Sequence, residues 1–178
     1  MAAGAAIRLF FYSSRFAYWF LFSKISAKWF VFFMLRIAVI SDSHGKLPEG
    51  VFESARKADE IWHLGDFCNL ATLSVFVEIG KPFYGVLGNN DFGLDLPPRL
   101  DLTRFGRTFH IVHILPRRLP LCDFLLFGHT HVPRDEQVGS CRLLNPGTIG
   151  KPNKGSPASW AWLEIQENGE VAWTLNPI

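Results

Sequence analysis

Carboxylate, imidazole and carboxamide side chains recur at five places along the chain, each directly after a short apolar run. They are Asp42 and His44, Asp66, Asn89 with Asn90 and Asp91, His113, and His129 with His131. Carboxylates held close together repel one another unless a cation lies among them. Oxygen and imidazole donors without thiolate suit Mn²⁺, Fe²⁺, Zn²⁺ or Ni²⁺ better than Ca²⁺ or a structural zinc ion. The residues therefore predict a site for divalent cations.

These candidate ligands are too many for one ion, but they suit two ions that share a bridging carboxylate. Two metal ions about 3.5–4 Å apart polarise the oxygens of a phosphoester and activate a water molecule for attack on phosphorus. Glycine precedes Asp66, Asn89 and His129, which lets the backbone turn sharply and approach the ions. The chemistry indicated is metal-dependent cleavage of a phosphoester.

The elements that must position these residues alternate between strands and helices from residue 36 onward. Strands over 36–41, 60–64 and 83–87, with helices over 48–58 and 71–79, predict a parallel βαβαβ unit. Beyond residue 98 strands dominate, at 100–104, 108–112, 123–127, 142–144, 160–165 and 171–175. The predicted fold class is α/β. Because ligands bind at the carboxyl ends of strands in open α/β sheets, the five places should meet there.

The first 33 residues differ in composition from the rest of the chain. They hold 12 of the 26 aromatic residues and four basic residues, without an acidic one. Arg15, Lys24 and Lys28 divide the apolar runs, so no stable membrane span is expected. A basic, aromatic helix at a membrane surface and a translation start at Met34 are the alternatives, and we favour the second. We predict an N-terminal extension over 1–33 and one domain over 34–178.

The composition of residues 34–178 excludes several other classes of function. This part carries 14 basic and 16 acidic residues, so nothing in its charge favours nucleic-acid binding. Three cysteines without a C-x-x-C pair argue against a disulfide framework and a thiolate zinc site. A reducing, cytoplasmic compartment is the prediction that fits them. The sequence leaves the oligomeric state open.

The ordered motifs resemble the calcineurin-like metallophosphoesterase superfamily, whose pattern is D-x-H, G-D, G-N-H-[DE], H and G-H-x-H. Residues 40–45, 128–133 and 145–148 are similar to those of its small YfcE-type phosphodiesterases. The resemblance covers nearly all of 34–178 and implies a two-sheet α/β sandwich of mixed sheets flanked by helices. It also implies one metal site made by Asp42, His44, Asp66 and His131, and a second made by Asp66, Asn89, His113 and His129, with Asp66 bridging.

The function implied is a metal-dependent phosphodiesterase acting on a small phosphodiester or an activated phosphoester. Mn²⁺ is the expected cation, with Ni²⁺, Fe²⁺ or Zn²⁺ as alternatives, and the expected catalytic residues are Asp66, Asn89, Asn90 and Asp91. The general-acid histidine of the pattern is Asn90 here, which predicts modest activity and a preference for good leaving groups. Another alternative is a protein-interaction scaffold, as in the retromer small subunit, which resembles these enzymes.

Other parts of the sequence have simpler interpretations or depart from the family pattern. His63 lies inside a predicted strand, so we expect it to be packed there, and His110 is at most a neighbour of the metal ligands. Asp91 is either a neighbour of the metal site or a turn carboxylate. Ile114 replaces the usual glycine after His113, and residues 114–121 are too few for the helix often found there. Both departures concern the substrate rim.

Overall fold

The computed structural model of the protein describes residues 33–153 and 155–178, so residues 1–32 of the predicted extension lie outside the described part. The first half contains β1 (Met34–Ile40), α1 (Glu49–Arg56), β2 (Glu60–His63), α2 (Leu70–Glu78) and β3 (Phe83–Gly85). The second half contains β4 (Arg99–Arg104), β5 (Arg107–Val112), β6 (Phe124–Leu126), β7 (Arg134–Val138), β8 (Cys141–Asn145), β9 (Ser159–Gln166) and β10 (Val171–Pro177).

The strands form two five-stranded mixed sheets, with the orders β10-β9-β1-β2-β3 and β4-β5-β6-β8-β7. In the first sheet β1, β2 and β3 are parallel, as predicted for the βαβαβ unit. In the second sheet β5, β6 and β8 are parallel, whereas β4 and β7 pair antiparallel at its edges. The predicted α/β class with two mixed sheets is confirmed.

The main core lies between the two sheets. Alternate residues of β1 and β2, including Val39 and Trp62, pack against Phe109 and Ile111 of β5. Trp62 and Phe109 meet edge to face, with ring centroids 5.2 Å apart. Because successive residues of a strand point to opposite faces, Ala38 and Ile40 contribute to a separate core on the other side of the first sheet.

Helices cover only the first sheet among the described residues. Val51 of α1 and Phe76 of α2 are buried in the core on its outer face. Asn69 caps α2, since its side-chain oxygen accepts a 2.8 Å hydrogen bond from the Thr72 backbone N–H. The outer face of the second sheet is covered instead by the loop after β5, through Leu115 and Leu119. As expected from its length, that loop forms no helix.

One strand was not predicted from the sequence. β7 contains Arg134, Asp135 and Glu136 and lies at the edge of the second sheet, where its residues are half-buried or exposed. An edge strand with little burial needs no apolar alternation, so the periodicity of the sequence gives no signal there. The described residues include no helix long and apolar enough to cross a membrane.

Candidate metal centre

Both sheets place the carboxyl ends of their parallel strands at one edge of the molecule, and the polar motifs lie in the loops there. Ile40 ends β1 two residues before Asp42, and His63 ends β2 three residues before Asp66. The loops are joined by backbone hydrogen bonds, such as Asp42 N–H to the Gly65 oxygen at 3.0 Å and Gly128 N–H to the His113 oxygen at 3.0 Å. The predicted convergence of the five places is therefore observed.

The first group of donors comprises Asp42, His44, Asp66 and His131. One ligand atom from each lies within 4.8 Å of all the others. His131 Nε2 is 3.1 Å from Asp42 Oδ1, and His44 Nε2 is 3.1 Å from His131 Nε2 and 3.7 Å from Asp66 Oδ2. Donors converging at this spacing suit one small divalent cation.

The second group is centred on Asn89, between two imidazoles. Its Oδ1 is 3.0 Å from His113 Nε2 and 2.8 Å from His129 Nδ1. His113 Nε2 also lies 3.4 Å from Asp66 Oδ1, so the two oxygens of Asp66 face different groups. The structure thus brings together all seven predicted ligands, with Asp66 between the two groups.

Asp66 is the most strongly perturbed carboxylate of the site. Burial raises its pKa, but the adjacent His113 imidazole and the hydrogen bonds from Asn90 outweigh burial and hold the pKa well below the usual range. Asn90 contributes twice, through its backbone N–H to Oδ1 at 2.9 Å and through its side-chain Nδ2 to Oδ2 at 2.7 Å. Asp66 is therefore an anion at neutral pH.

Asp91 faces the backbone of the metal-site loops. Its Oδ2 accepts hydrogen bonds from the backbone N–H groups of Asp66 and Gly88, both at 2.8 Å, and its Oδ1 accepts one from Cys68 at 2.7 Å. Of the two interpretations left open by the sequence, the geometry matches a neighbour of the metal site. Its carboxylate therefore links the loop after β2 to the loop after β3.

The backbone at the site is strained. Of the seven non-glycine residues with positive φ in the described part, six lie in these loops: Asp42, His44, Asp66, Cys68, His129 and His131. The left-handed region is uncommon for such residues and persists only where the surrounding structure enforces it. The loops therefore hold these side chains in fixed orientations at a cost in backbone conformational energy.

The glycines of the motifs allow the loops to approach closely. A Cβ on Gly128 would lie 2.0 Å from Ser41 Oγ and 2.7 Å from Asp42 Oδ2. A Cβ on Gly88 would lie 2.1 Å from Asp66 Oδ1. Since real Cβ atoms essentially never come within 3.0 Å of another heavy atom, side chains at either position would push the carboxylates out of place.

Sequence reasoning missed several residues that support the ligands. His63 is packed, as expected, and stacks on Phe67 at 3.7 Å between ring centroids, but its Nε2 also lies 3.1 Å from Ser43 Oγ. Burial lowers the pKa of His63 well below its usual value, so the ring is neutral. Ser41 Oγ donates a 2.5 Å hydrogen bond to Asp42 Oδ2. The two serines on either side of Asp42 are the feature of the sequence that could have indicated these supporting contacts.

The loop after β8 lies beside the site, where only the resemblance had placed it. Asn145 Nδ2 donates to the Gly128 oxygen at 2.9 Å, and Thr148 Oγ1 donates to the Asp42 oxygen at 2.8 Å. His110, by contrast, pairs with Asp101 of the neighbouring strand at 2.6 Å. None of its described hydrogen bonds reaches the seven candidate ligands, so it is not a neighbour of the site.

The surroundings of the Asp42 carboxylate fit a cation. This residue is fully buried, and its Oδ1 lacks a hydrogen-bond partner among the described residues. His131 Nε2 lies 3.1 Å from this oxygen, and the His131 ring carries its proton on Nδ1 when neutral, because Nδ1 lies 2.6 Å from the Lys151 carbonyl oxygen. A buried carboxylate oxygen that faces imidazole lone pairs fits a cation.

Comparison with known proteins agrees with this geometry. The family model of the calcineurin-like phosphoesterase superfamily domain matches residues 35–168. The chain belongs to this superfamily. Phosphodiesterase YfcE of Escherichia coli strain K12 is 30% identical over 162 residues, covering 74% of this chain and 88% of that protein. The probable metallophosphoesterase YsnB of Bacillus subtilis strain 168 is 27% identical over 147 residues, covering 75% of this chain and 86% of that protein.

Solved structures of other proteins share the fold. The structure of Yfce, a phosphoesterase from E. coli, matches with a TM-score of 0.65 and 26% identity over 79% of this chain and 98% of that one. Vacuolar Protein Sorting 29 from Cryptosporidium parvum matches with a TM-score of 0.66 and 21% identity, over 82% of this chain and all of that one. The second likeness concerns the fold alone. The predicted YfcE-type metallophosphoesterase sandwich is confirmed.

Proposed function

We propose that this protein is a metal-dependent phosphodiesterase that hydrolyses small phosphodiesters or activated phosphoesters with two divalent cations. The observation that supports this proposal best is the pair of ligand groups that share Asp66. Its Oδ2 lies 3.7 Å from His44 Nε2 and its Oδ1 lies 3.4 Å from His113 Nε2. Mn²⁺ is our first choice of cation, with Ni²⁺, Fe²⁺ or Zn²⁺ as alternatives, and a cytoplasmic location stays the prediction made from the cysteines.

The residues of the two groups have separate tasks. Asp42, His44 and His131 would hold the first cation and Asn89, His113 and His129 the second, with Asp66 shared. Bound cations would supply charge stabilisation for the phosphoryl oxygens and an activated water molecule. The protein fixes the donors before substrate arrives, because the loops that carry them are joined to one another by backbone hydrogen bonds.

The leaving group receives little proton transfer from the protein. Asn90 stands where the superfamily pattern has a histidine, and a carboxamide donates a hydrogen bond without releasing a proton. Its Nδ2 donates to Asp66 Oδ2, so its task is to orient the shared carboxylate. Esters with stable leaving anions, such as p-nitrophenolate, should therefore be hydrolysed far faster than alkyl esters.

The test uses the full chain stripped of metal with a chelator. Hydrolysis of bis(p-nitrophenyl) phosphate is followed with and without added Mn²⁺ or Ni²⁺, and metal binding is measured separately by calorimetry. We expect two ions per chain and activity only with metal. An active metal-free protein, or binding of a single ion, would contradict the two-metal proposal.

The shared role of Asp66 is tested by substitution. Asp66→Asn keeps the shape of the side chain but removes the charge, so we expect turnover to vanish while the fold stays intact. Asp95→Asn is the matched control, since Asp95 is an exposed carboxylate in the loop after β3. Retained activity in Asp66→Asn would refute the bridging role.

A protein-interaction scaffold is the competing proposal. It is favoured by the likeness of the fold to Vacuolar Protein Sorting 29 of C. parvum. The complete set of seven converging donors favours the enzyme, because protein contacts alone do not require a buried carboxylate without a hydrogen-bond donor. Absence of hydrolysis with every metal would decide for the scaffold.

A further inference from the structure

Three imidazoles of the candidate metal centre direct Nε2 towards the carboxylates of Asp42 or Asp66, and each has a partner for its other nitrogen. His113 Nδ1 lies 2.8 Å from the Leu64 carbonyl oxygen, and His131 Nδ1 lies 2.6 Å from the Lys151 carbonyl oxygen. For His44 the partner is the sulfur of Cys68, at 3.2 Å. Of these three partners, only Cys68 is a side chain.

The identity of the partner decides which nitrogen carries the proton. A carbonyl oxygen only accepts hydrogen bonds, so it fixes the proton on Nδ1 and leaves Nε2 free to bind a cation. A thiol is both a weak donor and a weak acceptor. His44 therefore binds a cation through Nε2 only when Nδ1 carries the proton, and the Cys68 sulfur lies where it can accept a hydrogen bond from that Nδ1–H group.

Cys68 is held in the position that this contact requires. Its backbone has φ +71°, in the left-handed region, and its N–H donates to Asp91 Oδ1 at 2.7 Å. Asp91 also binds the backbone of Asp66. The loop that presents the shared carboxylate thus presents the sulfur as well, on the far side of the His44 ring.

We infer that Cys68 is a positioning residue for the metal centre, whose sulfur accepts a hydrogen bond from His44 Nδ1–H and so orients Nε2 towards the first cation. This inference rests on the metal-binding part of the proposed function. Cys68 would not touch the substrate. It acts through His44, as partners of metal-binding histidines commonly do, and their loss commonly weakens metal affinity by about 10–100-fold.

The experiment measures Mn²⁺ binding by calorimetry to the full chain after removal of metal. We expect Cys68→Ala to weaken binding at the first site by about tenfold, and Cys68→Ser, which keeps an acceptor, to stay within about threefold of wild type. Cys122→Ala is the matched control, because Cys122 contacts Cys141 on the outer face of the second sheet. Its affinity should equal that of wild type.

A second readout reports the proton directly. With Zn²⁺ bound, ¹⁵N NMR of the imidazoles should show His44 protonated on Nδ1 in wild type and in Cys68→Ser, with exchange broadening in Cys68→Ala. Equal Mn²⁺ affinity of Cys68→Ala and wild type, or a serine variant as weak as the alanine variant, would overturn the inference.

The outcome for the proposed function is separate. A wild-type protein that binds Mn²⁺ without hydrolysing bis(p-nitrophenyl) phosphate contradicts the activity and leaves the affinity comparison at Cys68 valid. Normal hydrolysis with equal affinities contradicts the role of Cys68 alone. A wild-type protein that binds no Mn²⁺ overturns both.

Discussion

Replacing Gly88 by alanine tests how closely the metal-site loops must approach. Gly88 follows β3, and its added Cβ would lie 2.1 Å from Asp66 Oδ1 and 2.3 Å from the Asp66 backbone nitrogen. The carboxylate can rotate away, but the backbone nitrogen is held by its 2.8 Å hydrogen bond to Asp91. The two loops must therefore separate by about 0.7 Å to reach the 3.0 Å below which such contacts essentially never occur.

That separation should affect both stability and catalysis. Forcing an extra methyl group into a packed site costs about 1–3 kcal/mol, and misplacing a reacting group by about 1 Å costs about 10²-fold in rate. We expect Gly88→Ala to lose stability in urea unfolding of the chelated protein. We also expect kcat/KM for bis(p-nitrophenyl) phosphate at saturating Mn²⁺ to fall by about two orders of magnitude.

Gly50→Ala is the matched control for this experiment. Gly50 lies in α1, and a Cβ there would meet nothing within 4 Å. Alanine favours the helical conformation more than glycine does, so this variant should be at least as stable as wild type, with unchanged kcat/KM. A Gly88→Ala protein within about 0.5 kcal/mol and twofold of wild type would refute the close-approach argument.

Three further predictions concern other parts of the structure. Asp91→Asn replaces one acceptor oxygen by a donor that faces backbone N–H groups, so it should destabilise the protein by about 1–3 kcal/mol. It should also weaken Mn²⁺ binding in calorimetry. Unchanged affinity would contradict the positioning role of Asp91. His63 has its pKa lowered by burial, so the unfolded state takes up a proton as the pH falls below about 6.5 while the folded state does not. The free energy of unfolding of the metal-free protein should therefore fall with decreasing pH, by at most about 1.4 kcal/mol per unit from this residue, and His63→Gln should remove that part of the slope; an unchanged slope would contradict the assignment. Phe109→Ala opens a cavity between the sheets and should cost about 3–5 kcal/mol in urea unfolding without changing Mn²⁺ affinity in the folded protein; a cost below about 1 kcal/mol would contradict its place in the core.

The positions of the candidate ligands were predictable because each follows a strand whose signal is strong. The apolar run before Asp42 and the Gly65-Asp66 pair after β2 mark strand ends that parallel pairing must bring to one edge. The same reasoning predicted that β1, β2 and β3 are parallel. β7 was not predicted, because a polar edge strand buries too few side chains to require an alternation of apolar and polar residues.

The contacts that support the metal-site histidines could not be predicted from the sequence, for a different reason. The partners of His113 and His131 are the carbonyl oxygens of Leu64 and Lys151, and every residue has a carbonyl group, so residue type carries no information. The contact between Cys68 and His44 depends on a left-handed backbone conformation at Cys68, and no local sequence motif predicted that conformation. Side-chain identity predicts which atoms can bind a cation, whereas backbone geometry decides how they are held.

The division of the ligands between the two sheets links metal uptake to local opening of the fold. Asp42 and Asp66 follow strands of the first sheet, whereas His113 and His131 follow strands of the second. Any fluctuation that parts the layers at this edge pulls the donors away from a shared ion. An ion at 100 times its dissociation constant would therefore raise the free energy of that opening by about 2.7 kcal/mol, and amide protons near the ends of β1, β2, β5 and β6 would exchange with solvent correspondingly more slowly.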